Sequence, residues 1–216
     1  MDDEDVEGPT ARVDGRGAEA GGRRSEVGGP EPGAGSVELG VRPHRRTVHW
    51  RTDVPLLPLL APNSPLSALK TDEWHQMIDV NIKGVLNGVA AVLPTFIEQK
   101  SGQVIATSSV AGLKAYPGTA VYSGTKWFLR DFMEVLRMES AMEGTNIRTA
   151  TIYPAAINTE LLNTISHKDT AEGAHNLYDK YGISPDRIAS VVAFAIDQPE
   201  DTTVNEFTVG PANQPW

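Results

Sequence analysis

The sequence has no cysteine, which excludes a disulfide framework, thiolate zinc ligands, iron–sulfur clusters and a cysteine nucleophile. Positive charge is scarce too: 19 basic residues against 28 acidic ones leave a net charge of −9, which disfavours a general nucleic-acid surface. The longest apolar run, Val54 to Ala61, is interrupted by Pro55 and Pro58 and is too short to span a bilayer. The opening Met-Asp-Asp-Glu-Asp lacks the basic region and apolar core of a secretory signal. These absences lead us to expect a cytoplasmic protein without nucleic-acid, membrane or metal partners. What is present, 216 residues with 40% apolar and 22% charged, fits one ordinary globular domain.

A further absence is local. Residues 1–62 contain no Lys, Ile, Asn, Phe or Tyr, yet they hold 10 of the 20 Gly and 7 of the 15 Pro. Residues 1–52 show neither helical nor strand periodicity and are expected to be disordered. The five missing types share A- and T-rich codons, the signature that a shifted reading frame or a misassigned start leaves. The alternative is a real low-complexity arm whose Arg45-Arg46 pair touches an acidic partner. The expected division is a low-complexity segment, 1–62, followed by an α/β domain, 63–216.

From Asn63 onward the pattern is regular. Thr71 is expected to cap a helix with Asp72 and Glu73 in its first turn, and an apolar stripe from Trp74 to Ile97 carries that helix to Ser101-Gly102. Val104-Ile105-Ala106 reads as a buried strand and Ser108 to Gly118 as a loop. A second long helix is expected from Thr119 to Met142, stopped by Gly144. Asn146 to Tyr153 is strand-like, Ser184-Pro185 opens a helix through Ile196, and Glu206 to Val209 makes a last strand. Alternation of this kind predicts a parallel sheet with helices on its faces and ligands at the carboxyl ends of the strands.

Chemistry-bearing residues fall at those ends. Tyr122 and Lys126 are four apart on the second helix and share a side of it. A free phenol has a pKa of about 10, and a nearby cation favours phenolate, so the pair suits a general acid or base. Ser109, thirteen residues before Tyr122, follows the first strand, where it is either a ligand-facing hydroxyl or a turn residue. Asn81, inside the apolar stripe, is either a satisfied core amide or a functional one. Pro154 to Thr159 follows the second strand, as a polar ligand loop or a plain strand exit.

Together, Asn81 in Val-Asn-Ile-Lys-Gly, Ser109 in Ser-Ser-Val-Ala-Gly, Tyr122-Ser-Gly-Thr-Lys126 and the loop from Pro154 to Thr159 resemble the short-chain dehydrogenases/reductases, from about Asn63 to the C-terminus. The resemblance implies the C-terminal part of a Rossmann-type three-layer α/β/α parallel sheet. It also implies an NAD(P)-dependent oxidoreductase acting on a small-molecule carbonyl or alcohol, with NADP slightly ahead of NAD as cofactor and a homo-oligomer where the fold is complete. By resemblance, Tyr122 would transfer the proton and Ser109 would hydrogen-bond the substrate oxygen. Lys126 would lower the Tyr pKa and bind the nicotinamide ribose, and Asn81 would position a water in the proton relay. In the nicotinamide-side loop opened by Pro154, the backbone of Ile157 and the hydroxyl of Thr159 would hold the carboxamide. The polar segment from Leu161 to Tyr181 resembles the variable substrate flap.

The sequence departs from the family in two places. Ala155 replaces the Gly usual after that Pro, and neither the Gly-rich turn nor the Asn-Asn-Ala-Gly turn of the family is present. Gly33-Ala34-Gly35 follows no predicted strand and precedes no predicted helix, so it fails the context of a dinucleotide fingerprint. The first third of the family domain is thus expected to be missing or replaced. The alternative function is a catalytically inactive truncated homologue serving as an oligomerisation or interaction module. A sugar-nucleotide epimerase is disfavoured by the short chain after Val209.

Overall fold

The computed structural model describes residues 59–215. The expected disorder of residues 1–52, and most of the 1–62 segment, lie outside the described residues.

A short turn, Leu66–Ala68, ends at Leu69 in a left-handed conformation (φ 49°). The Leu69 carbonyl accepts the Thr71 N–H at 2.8 Å in a tight turn, and the Lys70 carbonyl accepts the Trp74 N–H at 3.2 Å, the first helical hydrogen bond. Thr71 therefore opens α1 (Thr71–Ile78) rather than capping it, and no side chain caps this end. The expected long helix is a 29-residue rod interrupted by a π turn, Asp79–Lys83, before α2 (Gly84–Gln99). Among the described residues this rod alone is long and apolar enough to cross a membrane; that apolarity was hidden from a search for uninterrupted runs. Phe96 closes its last turn over β1 (Gly102–Thr107), where a Cβ on Gly102 would stand 2.4 Å from the Phe96 ring.

After β1, a 3-10 turn at Val110–Gly112 leads to α3 (Ala120–Glu143), which ends at Gly144 in the left-handed region, φ 65°. β2 (Ile147–Pro154) follows. The segment expected to be poorly periodic holds a 3-10 turn, Glu160–Thr164, and a full helix, α4 (Lys168–Tyr181). Its inward row of Ala171, Ala174, Tyr178 and Tyr181 is half-buried, and the small alanines make the apolar signal weak. α5 (Asp186–Ile196) and β3 (Glu206–Val209) complete the chain.

The sheet is three-stranded and parallel, in the order β1-β2-β3, with Gly102 opposite Ile147 and Thr151 opposite Glu206. Val104 and Ala106 point to α3, where Leu129, Met133, Phe128 and Phe132 pack with Val85 of α2. Gln103 points the other way and donates to the Ala195 carbonyl of α5 at 3.1 Å; Phe194 of α5 meets Phe207 of β3 edge to face. Helices thus lie on both faces, the three layers expected. β2 is buried on both sides, whereas β1 is paired along one edge among the described residues.

Candidate active site

The carboxyl ends of β1 and β2 gather the candidate residues. Ser108 N–H donates to the Ile152 carbonyl at 2.7 Å, and its buried hydroxyl donates to the Lys126 carbonyl at 3.0 Å. This pins the β1 exit to α3. Gly112 is needed there, because a Cβ would come within 2.6 Å of Ser108 Oγ and 2.8 Å of Lys126 O. The neighbouring Ser109 is half-buried, and its Oγ accepts from Ala111 N at 3.1 Å.

α3 brings Tyr122 and Lys126 to the same place, both buried. Lys126 Nζ donates to the Thr107 carbonyl at 3.0 Å and stands 5.6 Å from the centre of the Tyr122 ring. Burial pushes the Tyr122 phenol up to about 12; the Ser109 hydroxyl against it pulls the other way, and Tyr178 adds a smaller push upward. Burial lowers Lys126 to about 8. Loss of hydration is the largest effect on both groups, and the Lys126 ammonium is directed to the Thr107 carbonyl and is not among the causes of the Tyr122 shift.

Asn81 sits in the π turn, 1% exposed. Its Oδ1 accepts from Leu60 N (3.1 Å), and its Nδ2 donates to Leu60 O (2.8 Å) and Thr125 Oγ1 (3.2 Å). The side chain is fully engaged in joining the incoming chain, the π turn and α3.

In the loop after β2, Ala155 N–H donates to Val209 O and Ala156 N–H to Gln214 Oε1. Ile157 and Ile183 form a parallel bridge in which Ile183 bonds to Ala156 and Asn158, so the Ile157 peptide N–H is directed away from Ile183. Thr159 is exposed, and its Oγ1 accepts from Leu161 N at 3.4 Å, opening the 3-10 turn. Ala155 is accommodated because a glycine faces it: a Cβ on Gly210 would lie 2.5 Å from that of Ala155.

Sequence reasoning missed several contributors that come from distant parts of the chain. Tyr178 of α4 is close enough to Tyr122 to influence its titration. The segment before α4 is tied to the start of the domain, since Ala61 N–H donates to Thr164 Oγ1 at 3.1 Å and Ser166 bonds both Lys70 and Glu73. A tyrosine four residues after Ala174 was the available signal for Tyr178; no local pattern marks the others.

A family model described as short chain dehydrogenase matches residues 60–170. An uncharacterized oxidoreductase of Listeria innocua is 78% identical over 157 residues, which are 73% of this chain and 63% of that protein. Among solved structures, the closed form of a serine dehydrogenase complexed with NADP+ is similar with a TM-score of 0.65 and 29% identity, over 73% of this chain and 63% of that one. An alcohol dehydrogenase from the archaeon Thermococcus sibiricus, complexed with 5-hydroxy-NADP, gives 0.61 and 25% over 73% and 62%. The chain thus spans less than two thirds of the length of these relatives.

Proposed function

The chain belongs to the short-chain dehydrogenase family, and on that premise we propose that it carries the proton-transfer part of an NAD(P)-dependent oxidoreductase interconverting a secondary alcohol and a carbonyl compound. The observation that supports this reading best is the buried Tyr122 phenol, with Ser109 against it and Lys126 one turn further on, at the carboxyl ends of β1 and β2.

The residues present fit the nicotinamide end of a dinucleotide. Lys126 is fully buried, and among the described residues one of its three ammonium hydrogens is engaged, by Thr107; the other two suit ribose hydroxyls. The Ile157 peptide N–H and the Thr159 hydroxyl suit the carboxamide. Among the described residues no Gly-rich strand-to-helix turn offers a place for the pyrophosphate. When bound, the nicotinamide would supply or take the hydride.

With the phenol at about 12 and the lysine at about 8, both groups hold their protons at neutral pH. Tyr122 is then in the form that gives a proton to a carbonyl oxygen as hydride reaches the carbon, and Ser109 holds that oxygen by a hydrogen bond. The Lys126 cation stabilises the phenolate left behind. In the reverse direction the phenolate takes the alcohol proton. Asn81 holds the π turn against α3 and so positions this helix.

NADPH oxidation with a panel of ketones tests the reading, using the chain alone and mixed with the N-terminal third of the Listeria innocua relative. Turnover that Tyr122→Phe removes supports it; no turnover in either preparation rejects it. In that event the second reading, an inactive interaction module, is favoured by the exposed Ile78, Leu86, Val92 and Ile97 of the first helical rod and Trp127, Val135, Met138 and Met142 of α3.

A further inference from the structure

A recess opens beside Tyr122 on the ligand side of the sheet. Asn63 and Ser64 form one wall, Trp74 and Met77 of α1 another, and Gly118 with the first turn of α3, Ala120 to Tyr122, the third. It encloses about 190 Å³ counting the solvent at its mouth, and its interior has room for one water-sized group.

Two side-chain oxygens in this wall lack partners. Ser64 is 6% exposed with its Oγ unbonded, and Asn63 Oδ1 is likewise buried and unbonded. A buried polar atom without a hydrogen bond is destabilising, so both call for an occupant. The helix end supplies donors. Thr119 does not cap α3 with its side chain, because its hydroxyl is engaged by Tyr116 O and Ser123. Ala120 and Val121, which line the recess, therefore carry first-turn N–H groups without a side-chain cap.

An occupant must then accept from peptide N–H and donate to the Asn63 carbonyl, while Ser64 serves in either sense. A hydroxyl does both with a single oxygen. A carboxylate cannot donate.

We propose that this recess is a subsite for a hydroxyl group of the substrate, so that hydroxylated carbonyl compounds are preferred over their plain counterparts. Tyr122 is among its lining residues, so the recess adjoins the proton-transfer residue. The assignment rests on the oxidoreductase reading for its word substrate, but binding in the recess can be measured without turnover.

The test is titration of isotope-labelled 216-residue chain with 1-hydroxy-2-butanone and with 2-butanone, following backbone amide signals. The amides of Ser64, Ala120 and Val121 should respond to the hydroxyketone and not to butanone. Ser64→Ala should weaken that response about tenfold, the scale of one lost hydrogen bond. Removing an unbonded hydroxyl should leave the melting temperature at or above that of the parent. Asn63→Ala, at a half-exposed position, is the second variant and should weaken binding similarly. Equal responses to both ketones, or none to either at saturating concentration, would mean a recess holding only water and overturn the proposal. Hydroxyketone binding without NADPH turnover, even with the N-terminal third of the Listeria innocua relative added, would uphold the subsite and reject the oxidoreductase reading. Turnover indifferent to the hydroxyl would do the reverse.

Discussion

Lys126 is a cation with no exposed surface, and its titration reports on folding. Its pKa is about 8 in the folded chain against 10.5 for the ordinary side chain, so between these values the unfolded chain binds more protons and stability rises with pH. The gain is about 3 kcal/mol at full extent. Tyr122, raised to about 12, acts in the opposite sense, but only above pH 10. Thermal unfolding should therefore show a melting temperature that climbs from pH 8 to 10, and Lys126→Met should flatten that climb. For catalysis, Tyr122→Phe should lower turnover by about 10² or more in a preparation that is active, with an unchanged circular dichroism spectrum. A third residue-scale prediction concerns packing. Gly210→Ala would drive a methyl into Ala155 and should cost about 1–3 kcal/mol in urea denaturation, and Ala155→Gly added to it should recover most of the loss. That Tyr122 and Lys126 share a side of α3, and that Ser109 follows β1, was legible from helix spacing and chain order. Gly210 was not, because its partner is 55 residues away and only the finished sheet brings them together.

At the scale of elements, an apolar period of 3.6 showed the first helical rod but could not show the π turn within it. That turn is held by a side chain reaching outside the helix: Asn81 ties Leu60 and Thr125 to it. Asn81→Ala would leave the Leu60 N–H and C=O without these partners, and a loss of about 2 kcal/mol is expected, read as a lower urea midpoint with unchanged slope. α4 escaped the sequence reading for the opposite reason. Its contact face is built mostly from alanine and tyrosine, and most of its surface is polar, so the period is present in the packing and faint in hydropathy. β3, by contrast, was read with its observed bounds, Glu206–Val209, since a short β-branched and aromatic run between turn residues has few other uses.

At the scale of the whole molecule, alternation of elements was enough to predict a parallel sheet with helices on its faces. Which strands flank β1 was not legible, because pairing is a property of partners. The described residues leave one edge of β1 unpaired beside the exposed apolar residues of the helical rod, a surface prone to association. Because the described residues offer no pyrophosphate cradle, the 216-residue chain is expected to bind NADPH and NADH with dissociation constants well above the micromolar range by isothermal titration; a micromolar value for either would show that another part of the chain supplies the phosphate site.

The chain enters the described domain through two adjacent residues, and each is held by a different structure: Leu60 by Asn81 and Ala61 by Thr164. A mechanical load applied upstream, whether by a tethered bead in a force experiment or by an unfoldase drawing in the N-terminus, reaches these two attachments first. Rupture would then leave the π turn held to α3 by Asn81 and Thr125, and the segment before α4 held to the first helix by Ser166, while the sheet behind them is still intact.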